Sequence, residues 1–123
     1  MAYDLRIEVE SDVLWVTATG TRSPQTILAM SQDIFAACLE KNLKKVLIDV
    51  LALKGRLSIM DAYDIPTKHF SEIRDRNVIS RCAIVDLKEF EDSYRFFENV
   101  AVNRRFVLRI FSDTNEAIAW LKE

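Results

Sequence analysis

Tyr3, Leu5, Ile7 and Val9 alternate with Asp4, Arg6, Glu8 and Glu10, a period of two that predicts a strand with one wet face. Ser11-Asp12 makes a tight turn, and the β-branched and aromatic run Val13 to Thr19 predicts a second strand, antiparallel to the first. Gly20 ends it. Ser23-Pro24 then reads as a helix start, Ser as N-cap and Pro at the first helical position. Ile27, Ile34, Phe35, Cys38 and Leu39 fall on one face of that helix, which should close near Asn42. Val46 to Val50 is apolar with no wet face, as in a central strand covered on both sides.

The second half repeats the alternation of strand and helix. Ser58-Ile59-Met60-Asp61 is a variant capping box, followed by an apolar stripe of Ile59, Ala62, Tyr63, Phe70 and Ile73. Pro66 falls inside this stripe and predicts a kink or break. Arg81 to Asp86 is another buried strand. Glu89 to Arg104 is helical, with Phe90, Tyr94, Phe97 and Ala101 on one face. Phe106 to Phe111 is the last strand, and Asp113 to Glu116 caps a short final helix. The order β-β-α-β-α-β-α-β-α predicts an α/β fold: an N-terminal β-hairpin followed by βαβαβα units. It implies a mixed, mostly parallel five-stranded sheet with about four helices, in a single domain over residues 1–123.

Composition narrows the class. Half of the 123 residues are hydrophobic, enough for one core without metals or crosslinks. The formal net charge of −2 speaks against a nucleic-acid binder, which normally carries a basic excess. Cys38 and Cys82 sit within apolar patterns without metal-ligand spacing and read as reduced core thiols. The chain opens directly in a strand pattern rather than a signal-peptide layout, and no apolar run approaches the ~20 residues that span a bilayer. A cytoplasmic protein with no transmembrane segment is the expectation.

The opening hairpin, the Leu47-Ile48-Asp49 strand and the close of the chain together resemble the SpoIIAA-like family, a branch of the STAS/SEC14-like fold. That close runs Asn103-Arg104-Arg105-Phe106-Val107-Leu108-Arg109-Ile110-Phe111-Ser112-Asp113, then Glu116-Ala117-Ile118-Ala119-Trp120-Leu121. The resemblance spans essentially the whole chain. STAS relatives among anti-sigma-factor antagonists carry a phosphorylatable serine at the start of the helix after the equivalent strand, in a pattern such as Asp-Ser-Ser-Gly. Ser58 lies in that neighbourhood, but the local sequence is Leu57-Ser58-Ile59-Met60-Asp61. The resemblance therefore makes Ser58 a candidate regulatory phosphosite, beside its plain reading as a helix cap; a phosphate at a helix N-terminus is compatible with both. The SEC14 side of the resemblance implies an apolar or acyl-ligand (lipid) binding protein as the alternative function.

Other candidates are weaker. Lys54, Gly55 and Arg56 precede that helix and could bind an anion or a partner, or form a solvated basic turn. Gly20 and Gly55 are the only glycines, so neither a P-loop nor a dinucleotide fingerprint exists. Leu51, Leu53, Leu57, Ile59 and Met60 are a surplus for a solvated loop. Some should be buried, and Leu53, Leu57, Ile59 and Met60 are candidates for an apolar partner or ligand surface. Asp49, Asp86 and Asp113 end three strands, yet no acidic pair accompanies them as in a metal-binding receiver domain. His69, the only histidine, has no nucleophile in its pattern, and Arg104, Arg105 and Arg109 read as ordinary surface charge. The expectation is a non-catalytic interaction or regulatory module without metal or cofactor, a homodimer whose partner is a protein or a small apolar ligand.

Overall fold

The computed structural model describes residues 3–55, 78–103 and 105–123, without the side chains of Ser93 and Tyr94. Strands β1 (Tyr3–Glu10) and β2 (Val13–Thr21) form a hairpin whose pairing ends at Glu10 opposite Val13. Both turn residues, Ser11 and Asp12, have positive φ (52° and 63°), the turn that matches strand twist in a two-residue hairpin. Helix α1 (Pro24–Lys41) follows, then β3 (Lys45–Lys54) and β4 (Arg81–Val85). A 3-10 turn (Lys88–Phe90) leads into α2 (Glu91–Asn103), then β5 (Leu108–Phe111) and α3 (Thr114–Leu121). The strand order is β1-β2-β3-β4-β5, antiparallel for the hairpin and parallel from β2 onward. The mixed, mostly parallel five-stranded sheet is therefore observed, with three α-helices among the described residues. The helix expected from Ser58, with Pro66 and His69, lies outside them.

Alternation along β3 and β4 sends side chains to two cores. Val46 and Cys82 join Leu14, Val16, Ile34, Cys38, Ala101, Phe106 and Leu108 on the face covered by α1 and α2. Leu47, Ala83 and Val85 join Val13, Ala117, Trp120 and Leu121 on the face covered by α3. Burial of β3 from both sides explains its apolar run Val46-Leu47-Ile48.

Helix α1 begins as its sequence predicts: the Ser23 hydroxyl accepts from Thr26 N–H at 3.1 Å, with Pro24 at the first position. Its buried stripe is Thr26, Met30, Ile34, Ala37 and Cys38. Leu39, expected inward, is 47% exposed, because it lies a further ~100° round the helix beyond Cys38.

The largest departure is at the end of β3. The strand continues four residues past Val50, where a loop was expected. Thr17 pairs with Asp49 and Thr19 with Ala52, so β3 spends one residue more than β2 over this step, a β-bulge. Asp49 Oδ1 accepts from Leu51 N–H at 3.0 Å within the bulge. The extra residue resets the alternation: Val50 and Leu53 both turn inward, while Leu51 and Ala52 face out. Leu53 is thus buried (4% exposed) with Ala18, Met30 and Val50, and is not part of an apolar outer surface.

Candidate functional site

The carboxyl ends of β2, β3 and β4 converge on one side chain that sequence reasoning did not single out. Arg22 follows β2 directly, and its main-chain N–H donates to Lys54 O at the end of β3, at 2.7 Å. Its guanidinium reaches across the sheet end to Asp86, just beyond β4. Nη1 donates to Oδ2 at 2.8 Å and Nη2 to Oδ1 at 3.2 Å, a bidentate pair in which the side chains are only 10% and 8% exposed. Nη2 also points at Val50 O at 3.5 Å, and the Phe90 ring lies 5.3 Å from the guanidinium carbon. Arg22 Nε is buried and has no hydrogen-bond partner among the described residues.

The Asp86 carboxylate accepts three hydrogen bonds, and both of its oxygens are engaged. Its Oδ1 accepts from Leu87 N–H at 2.8 Å as well as from Arg22, and its own N–H donates to Phe111 O at 2.9 Å. Asp49 is engaged at the bulge, and Asp113 accepts from Asn115 and Glu116 N–H as the cap of α3. The three strand-end carboxylates each serve the fold, and no group of three metal-ligating side chains occurs among the described residues.

Of the residues proposed from sequence, Lys54 and Gly55 lie exposed at the exit of β3, against Arg22. Gly55 has φ +89°, a conformation that favours glycine. Arg56, Leu57, Ser58, Ile59 and Met60 lie outside the described residues. The two halves of the closing sequence pattern meet in space. Arg81 and Arg109 approach the Trp120 ring at 5.1 and 6.0 Å, and Phe111 lies 5.8 Å from it. These arginines act in packing: Arg81 Nη1 also donates to Trp120 O at 2.6 Å.

An apolar cavity of about 100 Å³ lies between α1, α2 and the sheet, lined by Ile27, Met30, Ile34, Ile48, Ile84 and Phe97 among others. Pockets for drug-sized ligands usually run from roughly 300 Å³ upward, so this one is small for an acyl chain. No helix among the described residues is long and apolar enough to cross a membrane.

No protein-family model matches the chain, and no curated protein matches its sequence. Solved structures do match over nearly its whole length. An anti-sigma factor antagonist from Mycobacterium paratuberculosis superposes with a TM-score of 0.61 at 14% identity, covering 98% of this chain and 95% of that one. An uncharacterized protein of the DUF3478 family from Shewanella loihica, described as having a SpoIIAA-like fold, gives 0.59 at 22% identity, covering 98% and 93%. The chain has the SpoIIAA-like, or STAS, fold. Within this SpoIIAA-like domain, the Arg22–Asp86 pair occupies the end of the sheet where open α/β folds place their ligand and partner contacts.

Proposed function

We propose that this SpoIIAA-like domain is a non-catalytic regulatory or interaction module whose partner is another protein. The observation that carries this reading is the full-length structural likeness to an anti-sigma factor antagonist. The working surface in this proposal starts at the exit of β3, with Lys54 and Gly55, and continues through Arg56, Leu57, Ser58, Ile59 and Met60. Lys54 and Arg56 supply charge for an acidic partner, Leu57, Ile59 and Met60 supply apolar contact, and Ser58 is the regulatory phosphosite. Phosphorylation would add about −2 charge beside the partner contact, enough to exclude an apolar or acidic surface. A cytoplasmic setting and a homodimer belong to the same proposal, the latter tested by light scattering.

The test is affinity capture with the wild type, Leu57→Asp and Ser58→Asp, each shown to be folded by circular dichroism. The expected result is a partner retained by the wild type and lost by both variants. An identical captured set for all three overturns the reading.

A further inference from the structure

We propose that the outer edge of β1 pairs antiparallel with β1 of a second copy of this chain, about a two-fold axis at Ile7, so that Arg6 of each copy meets Glu8 of the other. This pairing gives the homodimer of the reading above its interface and rests on that part of the reading alone.

The two terminal strands of the sheet are built differently. β5 has four residues, and Glu98 Oε1 occupies the outward N–H of Ile110 at 2.7 Å. β1 has eight residues, and its pairing with β2 runs from Tyr3–Gly20 to Glu10–Val13 without a register shift. It contains neither proline nor glycine. Sheets blunt an edge by short length, bulges, prolines, covering groups or charge. Among the described residues β1 has only the last of these, and its charges are of both signs in an order that matches a second copy.

The hairpin decides which main-chain groups this edge offers. Glu10 and Val13 close the two-residue turn and so form a hydrogen-bonded pair. Such pairs alternate along an antiparallel ladder. The even-numbered residues of β1 therefore bond to β2, and Leu5, Ile7 and Val9 direct their N–H and C=O groups away from the sheet. A two-fold axis at Ile7 opposes Ile7 to itself and Leu5 to Val9, and each of these pairs exchanges two main-chain hydrogen bonds. Val9, 51% exposed in the single chain, then packs beside Leu5 of the second copy.

The charged face of the strand sets the register. Arg6 Nη2 lies 2.9 Å from Glu8 Oε1 within β1, with the side chains 79% and 57% exposed. With the axis at Ile7, each Arg6 also faces Glu8 of the second copy, in a non-hydrogen-bonded pair where side chains approach most closely. A guanidinium has donors for both carboxylates. Moving the axis to Arg6 or to Glu8 sets that residue against itself, like charge on like. Moving it to Leu5 leaves Glu8, Val9 and Glu10 outside the overlap. Asp4 meets Glu10 of the second copy only at the two outer ends, where solvent and salt screen the like charges.

The test is sedimentation velocity over a dilution series of the full chain, with Val9→Pro, Arg6→Glu, Glu8→Arg and an equal mixture of the last two, each checked for folding by circular dichroism. The wild type should dimerise with rising concentration. Val9→Pro removes an outward N–H, which an edge strand tolerates, and should stay monomeric over the same range. Each charge variant puts like charges into both central pairs and should weaken the dimer about tenfold or more. In the mixture the two variants carry opposite charges at both positions, so a heterodimer should recover wild-type association. A monomeric wild type overturns the proposal. A dimer that Val9→Pro leaves intact overturns the edge while the homodimer stands, and a Glu8→Arg variant that dimerises like the wild type overturns the register. Should Val9→Pro unfold, the charge variants and their mixture carry the test, since Arg6 and Glu8 are exposed. No other protein enters, so the outcome is independent of the capture experiment.

Discussion

Glu98 Oε1 on α2 accepts a hydrogen bond from the main-chain N–H of Ile110 on β5, at 2.7 Å. β5 is a terminal strand of the sheet, and Cys82 N–H bonds to Val107 O and Asp86 N–H to Phe111 O on its inner side. The alternate residue Ile110 therefore directs its N–H outward. A carboxylate takes this donor, which blunts the edge as a template for another strand. Glu98→Ala should cost about 1.5–3 kcal/mol, read by urea unfolding, because the lost bond has a charged acceptor. It should also raise concentration-dependent association in light scattering relative to the wild type.

Trp120 is 8% exposed and lies against Arg81, Arg109 and Phe111. Trp120→Ala should destabilise by about 3–5 kcal/mol in chemical denaturation. Trp120→Phe keeps an aromatic face for both guanidinium groups and should lose less than the alanine variant.

Gly55→Ala tests the backbone rather than the space around it. The added Cβ meets Arg22 only at ordinary contact distance, but φ is +89°. The expected cost is about 1–2 kcal/mol from the left-handed conformation. Gly55→Asn should cost less in the same unfolding measurement, because asparagine tolerates that region better.

Burial pushes the Cys38 thiol from 9.0 up to about 11. Burial, then the nearby Cys38, pushes Cys82 up to about 12. Both shifts favour the neutral, protonated thiol in the folded state, so their contribution is complete below pH 9 and declines as pH rises towards 11–12. The urea midpoint should fall with pH above 9, less steeply in Cys38→Ala/Cys82→Ala than in the wild type. A thiol reagent at pH 8 should modify neither cysteine until the chain unfolds.

The hairpin, the α1 start and the α3 cap were legible in sequence because each is decided by residues within a few positions: the Ser11-Asp12 turn, Ser23-Pro24, and Asp113. The β3 exit was not legible. The apolar run from Val46 predicts a strand that ends at Val50 with a loop after it, and only the pairing with β2 reveals the longer strand and the bulge that turns Leu53 inward. Arg22 was missed for the same reason. Nothing near Arg22 in the sequence marks it, since its carboxylate lies 64 positions away and its aromatic contact, Phe90, reads locally as one more residue of a helical stripe. Local rules decide caps and turns; buried charge pairing is decided by topology.

Among the described strands, the order in the sheet follows the order of the chain. During synthesis, each of β2 to β5 therefore leaves the ribosome after a neighbour it pairs with. Assembly can proceed by growth at one edge, from the hairpin outward, with no strand inserted between two already formed. Truncation from the C-terminus should accordingly remove outer layers and leave earlier pairings possible, whereas loss of the hairpin removes the template on which the parallel strands are laid.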